Sequence, residues 1–131
     1  MSESINIAIA QINLHVGAIE KNAEKILDAW RQGAALGADL VVTPELSICG
    51  YPPEDLVLKP AFVTACEAAA ERLAAATADG PGLIIGTPWQ DGATLHNAAF
   101  LLDGGAIIAR RKKHELPNYG VFDEKRVFAA G

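Results

Sequence analysis

Gly37-Ala38-Asp39-Leu40-Val41-Val42-Thr43-Pro44-Glu45 is the stretch on which the fold turns. A glycine, a short apolar run rich in β-branched residues, a proline and a carboxylate predict a short strand over 39–43 with sharp limits at both ends. Upstream, Ile19, Ala23, Ile26, Leu27, Trp30 and Ala34 recur at helical spacing, while Glu20, Lys21, Glu24, Lys25 and Asp28 fall on other faces. Residues 19–36 therefore read as an amphipathic helix stopped by Gly37. Further upstream, Ile5, Ile7, Ile9 and Gln11 alternate with Asn6, Ala8 and Ala10. That pattern predicts a buried strand over 5–12, with small residues where a helix lies close.

Downstream, Pro52-Pro53 forces an extended or turning backbone. Pro60 can open a second helix, because its missing N–H costs nothing in the first turn. Phe62, Cys66, Ala69, Leu73 and Ala76 form that helix's apolar stripe, and Gly80-Pro81-Gly82 ends it. Residues 83–87, 95–102 and 106–112 read as three more strands, with Asp103-Gly104-Gly105 as a hairpin turn between the last two. The order β-α-β-α-β-β-β predicts an α/β fold: parallel strands joined by crossovers, then an antiparallel hairpin. The expected architecture is a mixed sheet with two main helices on one face. The other face is also apolar, with Ile84, Ile85, Ala98, Phe100, Ile107 and Ala109 offered for it, and no third helix is present to cover it.

The 131 residues are enough for one compact domain with a core, and half of them are apolar. A net charge of −5 argues against a general binder of nucleic acid or anionic membrane. The one basic run, Arg110-Arg111-Lys112-Lys113, reads for its first three members as a strand end reaching solvent. No apolar stretch reaches signal-peptide or membrane-span length, and two cysteines make no disulfide framework. A reducing cytoplasm is the expected location.

Glu45 directly follows a strand, at the carboxyl end where open α/β sheets place their sites. A carboxylate there suits a general base partly shielded from water; the competing reading is an exposed residue after a strand. Lys113 ends the last strand, where an ammonium can hold the charge of an oxyanion or simply be one of four surface cations. Tyr119 and Phe122 lie in Asn118-Tyr119-Gly120-Val121-Phe122-Asp123-Glu124, and ordinary packing accounts for them as well as a pocket wall does. Cys66 sits on a helix stripe and reads as a core residue. Cys49 lies in the loop after Glu45. His15, His96 and His114 have no metal-ligand spacing with either cysteine or with a carboxylate cluster. No phosphate loop of the Walker or dinucleotide type occurs.

Two blocks carry a family resemblance: Pro44-Glu45-Leu46 with Gly50-Tyr51-Pro52-Pro53-Glu54-Asp55-Leu56, and Lys113 with Leu116-Pro117-Asn118-Tyr119-Gly120-Val121-Phe122-Asp123-Glu124. They resemble the nitrilase-type (carbon–nitrogen hydrolase) active site, and most closely the glutaminase domains of glutamine-dependent NAD synthetases. Ala8-Ile9-Ala10-Gln11-Ile12-Asn13, Val16-Gly17, Asn22, Gly37 to Val42, Asn97-Ala98-Ala99 and Asp103-Gly104 extend the match over nearly the whole chain. The resemblance implies one half of an α-β-β-α sandwich, with residues 1–131 as the N-terminal portion of a glutamine amidotransferase domain and the synthetase domain absent from this chain. It implies Glu45 as base and Lys113 as oxyanion donor, the lysine being the one three residues before Leu116. It implies Tyr119 and Phe122 along the glutamine pocket. Glu124 is then either a second carboxylate orienting Lys113 or a surface partner of Lys125 or Arg126. Glu115 departs from the family, which more often has histidine there.

In that family a cysteine from a later strand is the nucleophile, so neither Cys49 nor Cys66 is expected to serve, and the 131 residues alone are expected to be inactive. No cofactor is expected in this segment; ATP and Mg belong to the synthetase domain, whose Ser-Gly-Gly-x-Asp-Ser loop is absent here. The expected partners are glutamine, the rest of a synthetase chain and further copies in a homo-oligomer, with no nucleic acid and no membrane. Two other readings stay open: a stand-alone amidase of the same superfamily, and a non-catalytic interaction module.

Overall fold

A computed structural model describes residues 3–114, 116, 118–119, 122–123 and 127–131. The chain runs β1 (Ile7–Ile9), α1 (Ile19–Ala35), β2 (Leu40–Val42), a 3-10 turn (Glu54–Leu58), α2 (Pro60–Ala76), β3 (Gly82–Asp91), β4 (Thr94–Asp103) and β5 (Ala106–Lys112). Two short strands follow, β6 (Asn118–Tyr119) and β7 (Phe122–Asp123), paired with each other. The first five strands form one sheet in the order β1-β2-β3-β4-β5. β1, β2 and β3 run parallel, and β4 pairs antiparallel with β3 on one side and β5 on the other. The mixed α/β sheet expected from the sequence is therefore the one that forms.

Each helix ends for a local reason. Gly37, at φ +80°, takes the left-handed conformation just past α1. α2 starts at Pro60 and stops at Ala76, where Thr77 turns its hydroxyl back to donate to the Leu73 carbonyl at 2.8 Å. The chain thus leaves the helix before Gly80, and Gly82 already belongs to β3. The buried stripe of α2 is Val63, Cys66, Ala69, Ala70, Leu73 and Ala74; Phe62 is half-buried and Ala76 exposed. In α1 the buried positions include Gly33, and Ala34 is exposed. Gly33 lies so close to β2 that an added Cβ would come within 2.5 Å of the Val41 side chain.

Register assigns the faces. Val41 touches α1 and pairs with Leu83, which pairs with Leu102; Ile85 pairs with Phe100. These side chains, all at most 2 % exposed, share the core with both helices. Period-two alternation then sends Ile7, Ile9, Leu40, Val42, Ile84, Leu101 and Ala109 to the opposite face. Of the residues offered from sequence for that face, Ile84 and Ala109 lie on it. Ile85, Ala98, Phe100 and Ile107 are turned the other way by the register of the β3–β4 and β4–β5 pairs.

The same alternation corrects the reading of the first strand. It is three residues long, and its isoleucines are not buried: Ile5, Ile7 and Ile9 are 63 %, 53 % and 76 % exposed. Only Ala8 faces α1, close to Gly33. β3 and β4 are longer than expected, at ten residues each, because Gly92 at φ +60° opens a second tight hairpin between Asp91 and Thr94.

Candidate active site

Topology brings the two candidate residues together. β5 is reached from β3 by two antiparallel steps and so runs parallel to β2 and β3. The carboxyl ends of β2 and β5 therefore open on the same edge of the sheet. Glu45 follows β2 by three residues, and Lys113 follows β5 by one. Lys113 Nζ donates to Glu45 Oε1 at 2.6 Å. The two side chains are 27 % and 43 % exposed, so Glu45 is more open to water than a partly shielded base was expected to be. An ion pair this exposed adds only about 0–1 kcal/mol of stability. Its consequence is orientation of the carboxylate and the ammonium toward each other.

Strand alternation also explains why Lys113, not Lys112, reaches Glu45. Lys112 pairs with Ala98 on the helix side of the sheet. There its ammonium lies 5.5 Å from the Trp89 ring centre and bonds Asp91 at 2.7 Å. Arg110, two residues earlier, stacks over Phe100 and Trp89 at 5.1 and 5.7 Å. These two cations of the basic run stay exposed at the strand end, as expected, and in addition lie against aromatic rings. Lys113 is the next residue along, and the Lys113 N–H still bonds the Asn97 carbonyl at 2.7 Å, so the ladder carries the alternation on. Its side chain falls on the face away from the helices.

A cleft of about 290 Å³ lies beside the pair. Ile84, Gly86, Asn97 and Ala99 line it from the sheet, and Thr43 and Arg111 lie at its sides. β2 and β5 stand three strand spacings apart, about 14 Å. Part of that gap is closed by the turn after β2. Leu46 takes a left-handed φ of +48°, and its backbone lies directly over Gly86 of β3. A Cβ on Gly86 would sit 2.2 Å from the Leu46 nitrogen. Glycine within a strand here marks a close backbone approach, the signal that could have singled it out from sequence.

The turn is tied down by buried polar groups that sequence reading did not assign. Thr43 donates its hydroxyl to the Ile84 carbonyl at 2.8 Å, and Ser47 Oγ lies 2.8 Å from Thr43 Oγ1 and accepts the Gly86 N–H at 3.0 Å. Ile48 N–H bonds the Gly86 carbonyl at 3.0 Å. Asn22, fully buried on α1, accepts from His15 N–H at 3.0 Å and donates to the carbonyls of His15 at 2.8 Å and Ile48 at 3.0 Å. A polar residue amid a helix's apolar face was the available signal. Gly50, at φ +81°, lets the loop pass 2.7 Å (as measured to an added Cβ) from the Val16 nitrogen, and Gly17 N–H bonds the Cys49 carbonyl at 2.8 Å.

Both cysteines are fully buried and unbridged. A hydrogen bond with Cys66, and after it burial, push the Cys49 thiol far above the ordinary cysteine value. A thiol held protonated and out of contact with solvent is no nucleophile. Tyr119 and Phe122 pair through their backbones across the β6–β7 ladder; their side chains, and Glu124, lie outside the described residues. Among the described residues no group of three His, Cys, Asp or Glu side chains could hold a metal, and no helix is long and apolar enough to cross a membrane.

The carbon–nitrogen hydrolase family model matches residues 6–131. The glutamine-dependent NAD(+) synthetase of Rhodobacter capsulatus is 49 % identical over 131 residues, which are all of this chain and 24 % of that protein. The crystal structure of a glutamine-dependent NAD(+) synthetase from Cytophaga hutchinsonii superposes with a TM-score of 0.92 at 29 % identity, over 98 % of this chain and 22 % of that one. The amidase of Nesterenkonia sp. AN1, from the nitrilase superfamily, superposes with a TM-score of 0.81 at 26 % identity, over 97 % of this chain and 48 % of that one. In a mutant of that amidase, the one whose structure gives these values, the acetamide moiety of fluoroacetamide has added covalently to the active-site cysteine. The chain thus spans about a quarter of the length of the synthetases it matches.

Proposed function

Because this chain belongs to the carbon–nitrogen hydrolase family, we propose that it carries the base and the oxyanion donor of a glutaminase that feeds ammonia to ATP-dependent NAD synthesis from deamido-NAD. The observation that carries this reading is the Glu45–Lys113 contact of 2.6 Å at the mouth of the cleft. A cysteine thiol supplied from outside the described residues attacks the glutamine side-chain amide. Glu45 takes the thiol proton and passes it to the departing ammonia. Lys113 donates to the oxygen of the tetrahedral intermediate; an ammonium has three N–H donors, so this bond and the one to Glu45 are compatible. Water then releases glutamate from the acyl-enzyme.

In this reading ATP and Mg serve the synthetase domain, the setting is the cytoplasm, and the apolar face bearing Ile7, Ile9 and Ile84 is covered by the rest of the hydrolase domain or by another copy. The 131 residues by themselves release no ammonia from glutamine. The test uses a full-length synthetase carrying this segment. Glu45→Gln and Lys113→Ala each lower glutamine-driven NAD synthesis by about a hundredfold or more, while synthesis from added ammonium survives. Equal loss of both activities refutes the assignment. The similarity to an amidase keeps a second reading in view, a stand-alone hydrolase of another small amide. Hydrolysis of simple amides in preference to glutamine would favour it.

A further inference from the structure

We propose that Ser47 is a positioning residue for Glu45: its buried hydroxyl closes the Leu46 turn onto β3 and thereby holds the Glu45 carboxylate against Lys113. The inference rests on reading Glu45 as the catalytic base.

The direction of each hydrogen bond follows from counting protons. Thr43 has one hydroxyl proton, and it goes to the Ile84 carbonyl. The 2.8 Å contact between Thr43 Oγ1 and Ser47 Oγ must therefore use the Ser47 proton. That leaves the Ser47 oxygen to accept the Gly86 N–H at 3.0 Å. The result is a chain of three bonds that leaves β3 at the Gly86 amide and returns to it at the Ile84 carbonyl.

This chain supplements the backbone bonds that flank the turn, from Thr43 N–H to the Ile84 carbonyl at 3.1 Å and from Ile48 N–H to the Gly86 carbonyl at 3.0 Å. β2 pairs with β3 only as far as Val42 and Ile84. Beyond that point the backbone turns away at Pro44-Glu45-Leu46, and the Gly86 N–H would face an empty slot in the ladder. The Ser47 hydroxyl fills it. Glu45 is thus bracketed between two residues, Thr43 and Ser47, that are hydrogen-bonded to each other and to consecutive donor and acceptor sites on one strand. Its backbone has little freedom to swing the carboxylate away from Lys113. Ser47 is itself 0 % exposed and does not line the cleft, so it acts on the site only through the groups it fixes: Thr43, Gly86 and the turn that carries Glu45.

Positioning and mere structural support predict different kinetics. In a full-length synthetase carrying this segment, Ser47→Ala is expected to lower kcat for glutamine-driven synthesis about tenfold, with KM for glutamine and ammonium-driven synthesis unchanged. Thr43→Val, which removes the acceptor of the Ser47 proton while keeping the shape, is expected to act in the same direction. In a Glu45→Gln background, Ser47→Ala is expected to have no further effect on the residual glutamine hydrolysis. A crystal structure of the Ser47→Ala variant is expected to show the carboxylate beyond hydrogen-bond reach of Lys113 Nζ. A pair that stays closed in that variant, a raised KM with kcat unchanged, or an equal loss in both backgrounds would overturn the inference. If instead Glu45→Gln leaves glutamine-driven synthesis intact, the glutaminase reading fails, and the distance in the Ser47→Ala structure still decides whether Ser47 holds the carboxylate.

Discussion

Gly86→Ala is the substitution with the largest consequence per atom added. The new methyl would sit 2.2 Å from the Leu46 nitrogen, 2.9 Å from Leu46 Cα and 3.0 Å from the Glu45 carbonyl carbon. All three are backbone atoms, so no side chain can rotate out of the way. Normal contact requires the turn to retreat by roughly 1 Å, given an optimal heavy-atom separation of about 3.5 Å. Overpacking of this kind costs about 1–3 kcal/mol. The retreat also breaks the Ser47–Gly86 and Ile48–Gly86 hydrogen bonds, worth about 1 kcal/mol each. The gain from a less flexible unfolded chain, about 0.4–1 kcal/mol, offsets part of this. The net expectation is a loss of about 2–4 kcal/mol. Urea unfolding of the 131-residue chain, followed by circular dichroism, reads it directly. With a slope of about 2 kcal/mol/M, the midpoint falls by about 1–2 M. In a full-length synthetase the same 1 Å displacement of Glu45 costs about a hundredfold in glutamine-driven turnover. An unchanged midpoint together with full activity would refute the claim that a bare backbone at position 86 is what admits the turn.

Asn22→Ala removes three hydrogen bonds, one buried and two part-buried, that join α1 to the loops before it and after β2; a loss of about 3 kcal/mol, or roughly 10 °C in Tm, is expected in a thermal melt, and a shift under 2 °C by calorimetry would contradict it. A thiol-labelling reagent should find neither Cys49 nor Cys66 in the native chain and both after unfolding; rapid native labelling of Cys49 would contradict the raised thiol value. The Asp91 carboxyl, hydrogen-bonded to Lys112, is held below the ordinary aspartate value. Its contribution to stability is therefore present at neutral pH and is lost as pH falls from about 4 through the lower native value. Lys112→Ala should return the Asp91 titration, followed by NMR, toward the ordinary range; since the Asp91 side chain is 45 % exposed, added salt should weaken the effect.

Much of this protein was legible before its structure. Apolar periodicity marked α1 and α2, and Pro60 marked the start of the second helix, because helical spacing and proline's missing N–H are local properties. The tight Asp103-Gly104-Gly105 turn and the β-α-β-α-β-β-β order pointed to the mixed sheet. Glu45 and Lys113 were named through block resemblance, and their chain positions, each just past a strand, agreed with it. The burial of Ile85 and Phe100 on the helix side and the exposure of Ile7 and Ile9 were misread, since alternation says which residues share a face but not which face a helix covers.

By itself the sequence determined the main element types, the start of both helices and the family, and it offered Glu45 and Lys113 as candidates, all of which depend on neighbours along the chain. Tertiary structure alone decided that Lys113 meets Glu45 at 2.6 Å across two intervening strands. It alone revealed the Thr43–Ser47–Gly86 hydrogen-bond chain and the need for a bare Gly86 under Leu46. Those features depend on strand register and on the path of one turn over another strand. Residues 43–47 and 84–86 are some forty positions apart in the chain, and no local pattern in either names the other as its partner.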